Sequence, residues 1–471
     1  MKAVGRPFSL TRKAVPIDLD SADAFACGQA EPAAETLGPG GGKSGTGHLT
    51  SSLTRSVGAR AVTLPVTAVT NLMMSHSVVG AVGVSGYAFF TLVTTLPAML
   101  PVTDLGAGAA IVEACARDGS RERTLMRRTV STAARNLMGA GAVIALAGVV
   151  IGLLGLWDRV LGGAAQPESN VAAAAAAVLY GCTMPLGVGR AVLVAVNRND
   201  VAFLMQGAGS VLQVALVMAA AAMGASTAVF ICVAFFSQLL TGLVSMVVTG
   251  RLTGIPLLLL VIRSARHKST SQIAFAQLAV PMTVITAATV AAYGTDRLVL
   301  SHLDDANAVA QYSAGAQFFA PATSLLAAAA LPLWALFAQR RQAASSARGH
   351  LTRLTVYFAM GSLVVGAGMV ILGPSLGTWM LHGQVRVGTD LMAAFAALLF
   401  VRAVSYPANM WLTDASGLRF QAIAFSLMAV ANLALSIQLA HLGAHGPVLG
   451  SVLSYTAIVL VPSLIRAHRQ A

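Results

Sequence analysis

Charged residues are scarce in this chain of 471 residues. Asp, Glu, Lys and Arg make up 10% of it, whereas hydrophobic residues make up 56%. This balance excludes an ordinary soluble domain. At about 20 apolar residues per crossing, the chain has room for roughly a dozen membrane spans with short loops. The composition therefore predicts an all-α polytopic membrane protein.

Patterns that carry enzyme chemistry are also missing. The four cysteines are scattered and show neither close pairs nor metal spacing, which argues against a disulfide or zinc framework. No carboxylate pair or serine–histidine arrangement stands out, so no enzyme activity and no cofactor or metal is predicted. Gly42-Lys43-Ser44 resembles the end of a phosphate loop, but Leu37 stands where that loop requires glycine.

The chain divides into four parts. Residues 1–56, rich in Gly, Ala, Ser and Pro, are predicted to be a disordered cytoplasmic tail. Two pseudo-symmetric six-helix halves, 57–250 and 272–467, are joined by a basic cytoplasmic linker, 251–271. The twelve spans are predicted near 58–78, 86–106, 136–156, 171–191, two within 201–250, 272–294, 309–338, 352–373, 389–411, 419–440 and 446–465.

The basic residues set the orientation. Of the 30 Lys and Arg residues, only Arg159, Arg297 and Arg386 fall on one side of the twelve predicted spans. The positive-inside rule therefore places both termini in the cytoplasm of a multi-pass cell-membrane protein. The same rule explains the net charge of +13 without a nucleic-acid partner.

A weak internal repeat supports the division into halves. Similar residues recur about 225 positions apart, at the end of one span and the start of the next: Thr70-Asn71 and Thr295-Asp296, Ser75-His76 and Ser301-His302, Tyr87 and Tyr312. Such repeats underlie many transporter folds, in which the substrate lies between the two halves. A central cavity between the halves is the resulting prediction.

Span seven carries a polar face, formed at helical spacing by Thr283, Thr286, Thr289, Tyr293 and Asp296. Lipid cannot satisfy these groups, which favours a protein interior or a wet cavity. The alternative is that the threonines bond their own backbone. The adjacent Asp296 and Arg297 favour the cavity wall.

Other spans carry similar faces. Span one has Arg60, Thr63, Thr67, Thr70 and Asn71, and span ten has Arg402, Tyr406, Asn409 and Thr413. Arg60 lies near a span end, where snorkelling to the cytoplasmic surface is the alternative. Arg402 lies deeper in its apolar run, and a charge at that depth indicates a functional role. Arg190 aligns with Thr183 and Gly187 in span four.

Asp104 ends span two near the cytoplasm. It is predicted either to pair with loop arginines at the interface or to act as a cavity acid or proton relay.

Three stretches resemble a known family. TDRLVLSHLDDANAVAQYSAGAQF (295–318) is similar to the span seven–eight signature of polysaccharide exporters, the O-antigen-type branch of the multidrug/oligosaccharidyl-lipid/polysaccharide flippase superfamily. VSGYAFFTLVTTLPAMLPVTDLGAGAAIVEACAR (84–117) resembles the span two of that family. The short link 414–419 between spans ten and eleven is also typical.

This resemblance implies a flippase that moves a lipid-linked oligosaccharide to the outer leaflet by alternating access. Arg402, Arg190 and Arg297 are the residues expected to bind the pyrophosphate head group. The threonine faces and Gln317 would meet sugar hydroxyls. Membrane lipids and a glycosyltransferase or polymerase complex are the expected partners. The remaining cavity candidates are Asn71, Thr67, Thr286, Thr289 and Tyr293.

Two other functions stay open. One is a cation-coupled multidrug exporter of the same superfamily, with Asp104 and Asp296 as the cation-binding acids. The other is a membrane scaffold of a polymer-synthesis complex that transports nothing. Polar faces argue against the scaffold, because a scaffold needs no wet interior.

Overall fold

The computed structural model describes residues 45–96, 111, 122–196, 198–264, 276–342 and 348–470. Every regular element in these residues is helical. Nine helices within this part of the chain are long and apolar enough to cross a membrane. The all-α class is therefore confirmed, whereas the count of twelve and the arrangement in two halves remain predictions.

Most helices overlap a predicted span, but several are longer than the span, and α2 begins at Glu122 where span three is predicted to begin near 136. In chain order, those of eight residues or more are α1 Gly45–Thr95, α2 Glu122–Leu153, α3 Ser169–Thr183, α4 Gly187–Ala195, α5 Asn199–Ala222, α6 Thr227–Thr253, α7 Leu257–Ser264, α8 Ala276–Leu303, α9 Ala306–Gln342, α10 Arg348–Met380, α11 Thr389–Trp411, α12 Ala415–Leu439, α13 His445–Tyr455 and α14 Val461–Gln470. Helix α11 has the bounds predicted for span ten. Helices α8 and α9 occupy spans seven and eight but are not among the nine apolar helices.

Three helices are interrupted at places with a local cause. In α1 the break is at Gly83, whose φ of 72° is a conformation that suits glycine, and the predicted turn between spans one and two lies here. A 3₁₀ turn, Met184–Leu186, separates α3 from α4, because Pro185 lacks the N–H that would continue the helix. A π-helical turn, Thr456–Leu460, joins α13 to α14.

Two predicted segment bounds differ from the structure. Helix α1 begins at Gly45, so residues 45–56 are helical although they are predicted as the end of a disordered tail. A helix nucleated by the membrane span propagates at little cost into polar residues. The linker prediction 251–271 begins inside α6, which ends at Thr253, and includes α7. Residues 1–44 and 265–271 lie outside the described residues.

Helix α1 packs against helices from both predicted halves. It packs against α5 and α6, and also against α9 from the second predicted half. Elsewhere α2 packs on α3, α8 on α12, and α10 on α11. One hydrophobic cluster includes Tyr87 and Phe89 of α1 with Tyr312 of α9 and Phe395 of α11. The packing thus places spans two and eight side by side.

The link between α11 and α12 contains a helix cap. The Asp414 carboxylate accepts hydrogen bonds from the backbone N–H groups of Ser416 and Gly417, both at 3.2 Å. Asp414→Ala should lower the unfolding free energy by about 1 kcal/mol, the usual cost of a lost N-cap. A lower thermal unfolding midpoint in detergent would show this loss. Asp414→Asn keeps an acceptor and should stay near wild type, and an equal loss in both variants would contradict the cap.

Candidate functional site

A buried carboxylate, Asp296 of α8, lies at the centre of one polar cluster. Its side chain is 1% exposed. It accepts hydrogen bonds from Ser436 Oγ at 2.8 Å, Tyr312 Oη at 3.0 Å, Asn432 Nδ2 at 3.3 Å and Ser451 Oγ at 3.3 Å. Helices α8, α9, α12 and α13 therefore converge on a single acidic group.

The partners of Asp296 are neutral. Among the described residues no Lys, Arg or His lies within ion-pair distance of it. Asn432 also donates to Ala292 O at 2.7 Å, which fixes the orientation of the amide. The described residues contain no group of three His, Cys, Asp or Glu side chains that could hold a metal. One carboxylate among oxygen-bearing groups suits a proton or a hard monovalent cation better than a transition metal.

Arg402 of α11 forms a second polar cluster. Its guanidinium carbon is 5.0 Å from the ring centroid of Tyr293 and 5.8 Å from that of Phe319, both cation–π distances. Tyr406 lies beside it. In the part of the chain that the structure describes, no carboxylate lies within ion-pair distance of Arg402. A half-buried positive charge therefore lies between aromatic rings without a counter-charge from these residues.

Two polar atoms near Arg402 have no hydrogen-bond partner among the described residues. They are the buried Tyr293 hydroxyl and the Asn409 carbonyl oxygen Oδ1. The neighbouring groups are bonded: Ser405 Oγ lies 2.7 Å from Tyr455 Oη and accepts from Asn409 Nδ2 at 3.3 Å. Unpaired buried polar atoms are uncommon and need a ligand, water or strain to explain them.

The side chain of Arg297 does not join the Asp296 cluster and instead points towards α9 and α1. Its Nε donates to Ser313 Oγ at 3.2 Å, and Ser313 Oγ donates to Thr91 Oγ1 at 3.0 Å. This chain of contacts links α8, α9 and α1. Gln317, half-buried on α9, lies near the Tyr87 hydroxyl. Arg297 thus serves at least as a contact between spans two, seven and eight.

Some threonines of the predicted polar faces bond to the backbone of their own helix. Thr70 Oγ1 donates to Val66 O at 2.8 Å, and Thr289 Oγ1 donates to Ile285 O at 2.7 Å. These bonds support the alternative that threonines satisfy themselves on their own helix. Thr67 and Asn71 are half-buried, and Thr286 is exposed.

Arg190 lies apart from both clusters, exposed and near Arg60. The Arg60 guanidinium carbon is 4.5 Å from the Phe203 ring centroid, and its Nε is buried without a partner among the described residues. The Arg60 guanidinium therefore packs against an aromatic ring, and snorkelling to the cytoplasmic surface stays the alternative prediction for it. Asp104 lies outside the described residues.

Sequence reasoning missed the groups that surround Asp296. Asn432 and Ser436 are four residues apart on α12, and Ser451 and Ser454 are three apart on α13. All four are buried. Polar residues at these spacings in apolar spans were a usable signal, because they share a helix face that lipid cannot satisfy.

Comparison with known proteins finds similarity at the level of the fold. No protein-family model and no curated protein sequence matches the chain. The crystal structure of MATE in complex with MaL6 matches at 15% identity and a TM-score of 0.62, covering 89% of this chain and 96% of that one. The lipid II flippase MurJ, in an inward closed conformation, matches at 13% and 0.63, covering 86% and 87%.

A third solved structure agrees. An outward-facing multidrug resistance MATE family transporter of the MOP superfamily matches at 14% identity and a TM-score of 0.59, covering 89% of this chain and 96% of that one. The chain therefore has the helical fold of these MATE and MurJ structures, over most of their length.

Proposed function

We propose that this chain is a membrane transporter of the multidrug/oligosaccharidyl-lipid/polysaccharide flippase superfamily. In this proposal it moves a lipid-linked oligosaccharide from the cytoplasmic to the outer leaflet of the cell membrane. The fold shared with MATE transporters and with the lipid II flippase MurJ supports the transporter class. The observation that carries the substrate class is Arg402, which has no carboxylate partner among the described residues.

The surroundings of Arg402 suit an anionic glycolipid. A charge inside a membrane costs several kcal/mol unless it is paired, and a pyrophosphate supplies the missing negative charge. The planar guanidinium binds phosphate oxygens in a bidentate manner. The unpaired Tyr293 hydroxyl and Asn409 Oδ1 offer a donor and an acceptor to sugar hydroxyls.

The architecture that accompanies this function has twelve spans in two six-helix halves, 57–250 and 272–467. The substrate chamber lies between the halves, and both termini are cytoplasmic. The contact of α1 with α9 supports such a pairing of the halves. A glycosyltransferase or polymerase complex would supply or consume the glycan.

The second candidate is a cation-coupled multidrug exporter, and the observation that favours it is the Asp296 cluster. A buried carboxylate with four neutral donors is suited to bind and release a proton or monovalent cation. The same cluster could drive a flippase, so Asp296 identifies the coupling step rather than the cargo.

Purified protein in liposomes tests the cargo directly. The liposomes contain a fluorescent polyprenyl-diphosphate oligosaccharide, and an impermeant reductant destroys fluorescence in the accessible leaflet. We expect the protein to speed the loss of the protected fraction for this lipid, but not for the matched glycolipid without the diphosphate. Gradient-driven uptake of an organic cation without lipid flipping would establish the exporter instead, and neither activity would favour the scaffold.

A further inference from the structure

The side chain of His76 joins α1 to the end of α10. Its Nδ1–H donates to Trp379 O at 3.1 Å, and His382 Nε2–H donates to His76 O at 2.9 Å. The His76 ring is stacked on the rings of Trp379 and His382, with centroids 4.2 and 3.8 Å away. Gly80 makes this approach possible, because a Cβ there would lie 2.8 Å from His382 Nε2.

The side chain of His302 makes the matching contact at the end of α8. Its Nε2 lies 2.9 Å from Arg159 O, in the short helix Trp157–Leu161 that follows α2, and its Nδ1 lies 2.8 Å from Leu298 O. A glycine again allows the approach: a Cβ at Gly162 would lie 2.6 Å from Ser301 O.

These two contacts are equivalent within the internal repeat. His76 and His302 belong to the repeated Ser-His pairs. Each histidine contacts residues at or just after the end of the third predicted span of the opposite half. His302 contacts Arg159, and His76 contacts Trp379 and His382. The distribution of basic residues assigns both contacts to the outer side of the membrane.

We propose that the His76 and His302 contacts form a two-part outer gate, closed in this structure, that separates when the transporter opens outwards. The inference rests on the alternating access of the proposed function. Beneath the gate, Ser313 and Thr91 touch across α9 and α1, with exposed fractions of 0% and 5%. Closure therefore seals a buried contact between the two halves.

Thiol labelling from outside tests this gate. In a background without native cysteines, Ser313→Cys reports access beneath the gate to an impermeant maleimide in intact cells. Gly80→Val places a side chain where His382 packs and should speed labelling several-fold. Gly368→Val on α10 is the matched control, because a Cβ there meets nothing within 4 Å, and its labelling rate should equal that of the parent.

Truncations keep the test independent of added bulk. His76→Ala and His302→Ala remove the ring contacts without overpacking. Each should also speed labelling of the thiol in the Ser313→Cys reporter several-fold, at unchanged protein level. Unchanged rates in all three gate variants would overturn the gate.

A second position checks the side of the membrane. Gln384→Cys, exposed in the predicted outer loop, should label in every background. Labelling of Gln384→Cys only after permeabilisation would place the gate on the cytoplasmic side and overturn its assignment. No substrate is added in these measurements. The labelling result therefore tests the gate even if the protein turns out not to be a flippase.

Discussion

Arg402→Ala should abolish flipping of a lipid-linked diphosphate while the protein still folds and inserts. The guanidinium lies between Tyr293 and Phe319. Because no carboxylate among the described residues pairs with it, its removal leaves no buried negative charge without a partner. Arg402→Lys should restore transport only in part, because lysine keeps the charge but lacks the planar fork for phosphate. The readout is the leaflet-accessibility assay, with membrane protein level measured in parallel.

Arg386→Ala is the matched control for Arg402, since Arg386 is exposed in a loop and outside the cluster. Its transport rate should equal that of wild type. Full activity of Arg402→Ala would show that the cluster does not bind the head group. A loss of folded protein in both Arg402 variants would instead assign the arginine to structure.

Asp296→Asn should uncouple transport from the ion gradient. The amide has nearly the shape of the carboxylate but cannot carry the negative charge that attracts a proton or cation. Its four partners are three hydroxyls and one amide, and hydroxyls can rotate to donate or accept, so the fold should survive. Transport in liposomes with an imposed proton or sodium gradient should lose its acceleration by that gradient.

Asp304→Asn provides the comparison for Asp296, because Asp304 is an exposed acid directly after the end of the same helix. It should respond to the gradient as the wild type does. If Asp296→Asn keeps its full response, the buried cluster is a structural polar contact and coupling resides elsewhere.

The spans were predictable because apolar length is a local property of sequence. Thr389–Trp411 has the predicted bounds of span ten, and the glycine break between spans one and two lies at Gly83. The composition of residues 45–56 indicated disorder, whereas they are helical in the structure. A helix that is already formed in the adjacent span extends easily into such residues, and composition alone does not contain that information.

The site was predictable only in its parts. Helical spacing singles out Tyr293, Asp296 and Arg402, but it does not say which of them meet, and Arg402 and Asp296 do not form an ion pair. Asp296 instead bonds to Asn432 and Ser436, which are 136 and 140 residues away in sequence. Such pairings depend on how helices rotate against each other, and the period of one helix does not contain that information.

The π-helical turn Thr456–Leu460 has a consequence for how this chain tolerates change in length. A π turn accommodates one more residue than an α turn, so it shifts the helix face that follows it. Tyr455, before the turn, meets Ser405 in the Arg402 cluster, whereas Ala467, after it, packs with Phe337 and Trp411. Removing one residue between them would make a more regular helix but turn one of these faces away from its partners. The irregular turn thus keeps the polar interior and the carboxyl-terminal end of the bundle in phase.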